Sequence, residues 1–174
     1  MIKWSKVAVA LLLTQFVGFG SAAAQAGDAE LALLTSYIGD WRGEGAMSGG
    51  SSSGQPFRCR LQIAKGNQTK INYTGRCSLA DTNLSVSGTI AYNDANKRYE
   101  AAMSSNAGFT GLAIGNQQGG KITFDLKEQQ KDRSGSDVRI GSKIMLNNSL
   151  ITVDFEVEFN NSGEVMRTSV PFGK

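Results

Sequence analysis

From residue 57 onward the chain alternates apolar and polar residues with period two, segment after segment, and few folds accommodate that pattern. Successive side chains of a strand point to opposite faces, so each such segment is a strand with one dry and one wet face. In Phe57 to Lys65, Phe57, Cys59, Leu61 and Ile63 point one way, and Arg58, Arg60 and Gln62 the other. Gly66-Asn67 supplies a turn. The next segment carries Ile71, Tyr73, Gly75 and Cys77 on its apolar face. Setting Ile63 opposite Tyr73 also sets Leu61 opposite Gly75 and Cys59 opposite Cys77, so one register pairs apolar residues and brings the two sulfurs together. Closing that loop as a disulfide contributes about 3 kcal/mol in the chain-entropy picture.

The pattern recurs to the end of the chain. Leu84, Val86, Gly88, Ile90 and Tyr92 form an apolar face that ends at the turn Asn93-Asp94-Ala95-Asn96, and Tyr99, Ala101 and Met103 return from it. Phe109 to Ile114 follows, then Ile122, Phe124 and Leu126 after Gly119-Gly120. Around Asn147-Asn148, pairing Ile144 with Val153 places Ile140 opposite Val157 and Val138 opposite Phe159. The same register sets Lys143 against Asp154 and Arg139 against Glu158 on the other face, pairs worth about 0.2–1 kcal/mol each. The last segment, Val165 to Phe172, turns Met166, Val170 and Phe172 inward and is expected to bring Arg167 near Glu158.

Ahead of the strands, Asp28 to Ile38 reads as the one helix, with Leu31, Leu34 and Ile38 on one face and Gly39 as its stop. Nine or ten strands joined by short loops predict an all-β chain: a single antiparallel up-and-down β-barrel of 8–10 strands with a short N-terminal helix plugging one end. Closure removes the exposed edges of such a meander. A two-sheet sandwich is the alternative.

Residues 1–26 read differently. Lys3 and Lys6 precede an apolar run from Val7 to Leu13 that resumes from Phe16 to Phe19, and Ala24-Gln25-Ala26 fits a cleavage site. These are the parts of a secretory signal peptide, and the main run is shorter than the ~20 residues needed to cross a bilayer. A single domain of residues 27–174 is therefore expected in a bacterial periplasm or medium. Cleavage leaves 148 of the 174 residues, with 16 of the 18 basic residues against 15 acidic ones. Near-neutral charge gives no reason to expect nucleic acid as a partner. Two cysteines and an oxidising destination favour a disulfide over a metal site.

The first strand reads Ile38-Gly39-Asp40-Trp41-Arg42-Gly43-Glu44-Gly45. Gly-x-Trp on a first strand behind a short helix resembles the calycin group that contains the lipocalins. The longer Gly-x-Trp-x-Gly-x-Gly string resembles the heme-binding β-barrel family typified by nitrobindin. The resemblance implies a barrel whose closed end is covered by Trp41, with Gly43 and Gly45 allowing the bend a small barrel needs. That family holds heme iron through a histidine, and this chain contains none. An inward tyrosine or methionine is an unusual sole ligand, so no cofactor is expected.

Without histidine, the triad catalysts and the common zinc sites are excluded. Asp154, Glu156 and Glu158 fall on outward faces, and Gly119-Gly120-Lys121 lacks the spacing of a phosphate loop. The chain is expected not to be an enzyme. Two binding functions remain. The inward face carries Trp41, Tyr73, Tyr92, Tyr99, Met103 and Phe124 beside the small Gly75, Gly88 and Ala101. Those small residues either leave a cavity for a small hydrophobic ligand or relieve crowding in a filled core. On the outer face, Arg58, Arg60, Lys70 and Arg76 form a basic patch suited to an anionic envelope component or an acidic protein. Arg60 falls opposite Arg76, an unfavourable arrangement for stability alone.

Overall fold

In the computed structural model the described residues are 27–174, apart from 68, 80, 81 and 133; the expected leader, 1–26, lies outside them. Helix α1 (Asp28–Thr35) precedes ten strands. These are β1 (Gly39–Ala46), β2 (Pro56–Lys65), β3 (Lys70–Leu79), β4 (Thr82–Asn93), β5 (Arg98–Ser105), β6 (Thr110–Gln118), β7 (Lys121–Lys131), β8 (Asp137–Asn147), β9 (Leu150–Phe159) and β10 (Glu164–Gly173). Each strand pairs antiparallel with its neighbour in sequence, and β1 meets β10 to close the barrel. The sandwich alternative is thereby excluded.

The alternation translates directly into register. Cys59 faces Cys77, Leu61 faces Gly75 and Ile63 faces Tyr73, and the two sulfurs are bonded across 4.0 Å between Cα atoms. Ile144 faces Val153, Ile140 faces Val157 and Val138 faces Phe159, with Arg139 bonded to Glu158 at 3.1 Å. Three details differ from expectation. Lys143 lies opposite Asp154 but pairs instead with Asp125 at 3.4 Å, because Asp125 stands opposite it on the other neighbouring strand. Asp154 accepts a hydrogen bond from the Ser169 hydroxyl at 2.6 Å. Arg167 lies opposite Glu156 and bonds to it, not to Glu158, because the β9–β10 turn sets Glu164 against Phe159.

The helix stops three residues short of the expected Ile38. The amides of Tyr37 and Ile38 bond the carbonyls of Leu34 and Thr35, a tighter turn that rolls Tyr37 fully into the interior and leaves Ile38 half-buried. At its start the Gly27 amide donates to the Glu30 carboxylate at 3.0 Å. Strand β6 begins after Phe109 and runs on to Gln118, beyond the expected Ile114. It presents Gly111, Ala113 and Gly115 inward, while Leu112 and Ile114 are exposed.

Closure happens where the glycines of the first strand stand. A Cβ on Gly45 would lie 2.3 Å from the Ser169 carbonyl oxygen, so only glycine lets β1 approach β10 this closely. Beyond β1 the chain returns along the seam, where Ser48 and Arg167 exchange backbone hydrogen bonds, and Met47 is buried in the core.

Candidate functional site

The interior divides into two halves along the barrel axis. At the helix end, Leu34, Tyr37, Trp41, Tyr99, Ile122 and Phe124 are essentially inaccessible and form one packed cluster. Trp41 donates its Nε1 hydrogen to the Tyr37 carbonyl at 2.8 Å, its ring lies 6.2 Å from that of Tyr37, and the Lys174 ammonium sits 4.9 Å from its centroid. Tyr92 and Tyr99 meet edge to face at 5.1 Å. Here small inward residues relieve crowding: a Cβ on Gly115 would fall 2.6 Å from the Phe124 ring.

Away from the helix the filling is incomplete. A cavity of about 110 Å³ lies between the large cluster and a smaller one formed by Val138, Ile140 and Val157 with Phe109, Phe155 and Phe159. Its floor includes Ile63, Leu146 and Ile151, and its walls include Leu61, Ile144, Val153 and the Cys59–Cys77 disulfide. Half-buried Leu84, Phe109 and Phe155 stand at the far end, the last two with ring centroids 6.4 Å apart. Arg60 is the one charged residue on its boundary, and Arg60 belongs to the outward phase of β2.

Of the six interior candidates, Tyr73 and Met103 line this cavity; Trp41, Tyr92, Tyr99 and Phe124 pack at the helix end, outside its wall. Tyr73 lies over Gly88, where a Cβ would stand 2.5 Å from its hydroxyl, and it donates to the Ala102 carbonyl at 3.3 Å. Burial pushes its phenol pKa up to about 12.

Three hydroxyl residues of the wall escaped the sequence reading: Ser105, Ser142 and Thr168. Ser142 on β8 and Thr168 on β10 are 7% and 6% exposed, and each stands directly opposite Phe155 on β9, one on either side. Both occupy the inward phase, Ser142 between Ile140 and Ile144 and Thr168 between Met166 and Val170. A hydroxyl at an inward position was the available signal. Thr168 Oγ1 is buried with no hydrogen-bond partner among the described residues.

Outside, the basic candidates separate. Arg60 faces Arg76, and Arg42 on β1 joins them by facing Arg60 from the other side. Among the described residues, no ion pair involves these three. Arg58 pairs with Glu44 at 3.3 Å, and Lys70 lies at the start of β3, away from Arg76.

Comparison with known proteins places this geometry. The family model described as the THAP4-like, heme-binding beta-barrel domain matches residues 30–168, most of the chain. The chain belongs to that family. Its fold is similar to the crystal structure of Rv2717c from M. tuberculosis, with a TM-score of 0.65, 13% identity, and coverage of 83% of this chain and 96% of that one. A de novo designed fluorescence-activating β-barrel is a weaker match, at a TM-score of 0.43 and 14% identity over 81% of this chain and 95% of that one. No curated protein matches.

The family name raises heme, and the residues present do not fit it. The chain has no histidine, and both cysteines are in the disulfide. The one tyrosine on the cavity wall has its phenol pKa raised, opposite to the direction a tyrosinate ligand needs. The cavity is also well below the roughly 300–1,000 Å³ that encloses a drug-sized ligand, and the macrocycle is no smaller than such ligands.

Proposed function

We propose that this chain is an exported, non-enzymatic binding protein that holds a small apolar ligand in the far half of its barrel. The observation carrying this reading is the cavity of about 110 Å³ in the barrel interior, whose lining is mostly apolar. An engineered apolar cavity of ~150 Å³ in another protein stays dry and takes benzene, so a cavity of this kind gains by accepting an apolar guest. The family to which the chain belongs bears the name of a barrel ligand, which supports the barrel interior as the place of binding. Export rests on the leader sequence of residues 1–26. Benzene added to the purified protein should bind saturably and shift the ring resonances of Phe109 and Phe155. Val153→Phe, which fills the wall, should abolish this. Undisturbed resonances at saturating benzene would refute the reading. Expression of the whole chain in a bacterium, followed by N-terminal sequencing, should give a product starting near Gly27; retention of Met1 would refute export.

A second reading is carried by the row Arg42-Arg60-Arg76. Three like charges in direct register cost stability, and an anionic envelope component laid across the row would offset that cost. Co-sedimentation with vesicles containing phosphatidylglycerol should be lost on combining Arg60→Glu with Arg76→Glu; binding unchanged by that pair would remove this reading.

A further inference from the structure

Resting on the reading of the Arg42-Arg60-Arg76 row above, we propose that the outer face of β1 to β5 is a track for an anionic polysaccharide laid across the strands. Two cross-strand rows run side by side there. In one, Arg42 faces Arg60, Arg60 faces Arg76 and Arg76 faces Ser85. In the other, Gln62 faces Thr74, Thr74 faces Ser87 and Ser87 faces Ser104. The three arginines, Gln62, Thr74, Ser87 and Ser104 are exposed, and Ser85 is half-buried. Both rows border one open trough of about 820 Å³. Strands lie about 4.8 Å apart and rise about 3.3 Å per residue, so each row spans about 14 Å and the two run about 7 Å apart.

Each row answers one half of an acidic sugar polymer. Guanidinium forks take carboxylate, sulfate or phosphate oxygens in two-point contact, and no acid pairs with these three arginines among the described residues. Hydroxyl and amide groups donate and accept, as sugar hydroxyls do. Ser87 and Ser104 bond each other at 3.2 Å, which leaves their oxygens further capacity to accept. The acids nearby are engaged: Asp40, opposite Gln62, accepts from it at 3.3 Å, and Glu44 pairs with Arg58 at 3.3 Å. Neither row holds an aromatic or aliphatic side chain, which a protein interface concentrates at its centre and a membrane-bound face buries at the lipid boundary. The exposed large apolar residues, Leu112, Ile114 and Leu150, stand outside both rows. Clustered fixed charge beside neutral hydrogen-bonding groups is what a hydroxylated polyanion requires.

The test titrates the purified protein with polygalacturonate, whose carboxylates hang on sugars, and with polyacrylate, whose carboxylates hang on a hydrocarbon chain. Neutral dextran and phosphatidylglycerol vesicles complete the set. Polygalacturonate should bind, more weakly as salt is raised, and dextran should not. Arg60→Glu with Arg76→Glu should abolish binding of both polyanions. Combining Thr74→Val, Ser87→Ala and Ser104→Ala keeps the arginines and strips the second row. It should weaken polygalacturonate about tenfold, equal to ~1.4 kcal/mol, and leave polyacrylate within twofold. Thr74→Val alone should weaken polygalacturonate by a smaller factor, and it decides the matter if the triple variant melts. Failure of both polyanions and of the vesicles to bind would sink the arginine-row reading itself. Vesicle binding without polygalacturonate binding would leave that reading standing and overturn the polysaccharide track. A triple variant that weakens neither polymer, or both equally, would also overturn it.

Discussion

The two halves of the barrel interior are built from the same alternating strands and yet differ in kind. At the helix end, large rings meet small neighbours and the space is filled: Phe124 lies against Gly115, and Tyr37 and Trp41 seal the mouth. At the far end, buried aliphatic residues and half-buried rings line the interior together, and a hole is left between them. The difference teaches that alternation fixes which side chains point inward, while their reach across the barrel fixes whether the space between them fills. Among the described residues, three buried hydroxyls have no hydrogen-bond partner: those of Tyr37 and Tyr99 in the packed half and that of Thr168 on the cavity side. Tyr99 is packed against Tyr92, and the Thr168 hydroxyl stands beside Gly45 at the β1–β10 seam.

That contrast can be broken at several points. The largest effect is expected from Trp41→Ala, which should cost about 3–5 kcal/mol in chemical denaturation, since it empties a fully packed site. Replacing Cys59 and Cys77 together by serine should cost about 3 kcal/mol, because the crosslink closes the β2–β3 loop beside the cavity. Tyr73, which borders the cavity and covers Gly88, gives a pH test. Its folded pKa of about 12 lies above the ordinary value of 10.0, so the neutral phenol is favoured in the fold. The stability it contributes should be complete below pH 10 and be lost as pH rises from 10 to 12. Burial lifts Tyr99 to about 12 as well, so tyrosinate absorbance should show two late phenols, of which Tyr73→Phe removes one. Phe109→Ala at the far end should cost only about 1–2 kcal/mol, because its ring is half-buried already. A cost equal to that of Trp41→Ala would erase the distinction between the halves. Smallest of all, Thr168→Val should be neutral or stabilising by up to about 1 kcal/mol, since it removes an unsatisfied group without changing shape.

Much of this was legible in one dimension. Period two dictated which side of each strand is dry, and the match of Cys59 to Cys77 and of Val138 to Phe159 across turns set two registers that the barrel retains. What failed was local and explicable. Tyr37 lay outside the apolar face assigned to the helix, because a tightened last turn, not helical spacing, carries it inward. Lys143 had carboxylates on both flanking strands, and sequence pairing considered only one. Ser142 and Thr168 were in phase with the core and could have been read as inward hydroxyls, but parity does not say that the two straddle the same phenylalanine.

By itself the sequence determined antiparallel pairing, the inner and outer faces, and the cysteine register, because alternation is a property of neighbouring residues and survives any arrangement that keeps strands paired; closure into a barrel, not a sandwich, was decided by the meeting of β1 with β10. Whether the inside is full or hollow was decided only in three dimensions. Gly115 lies tight against the Phe124 ring and Gly75 tight against Val86, yet only Gly75 borders a hole, so what stays open depends on how far the side chains beyond each pair reach across the barrel.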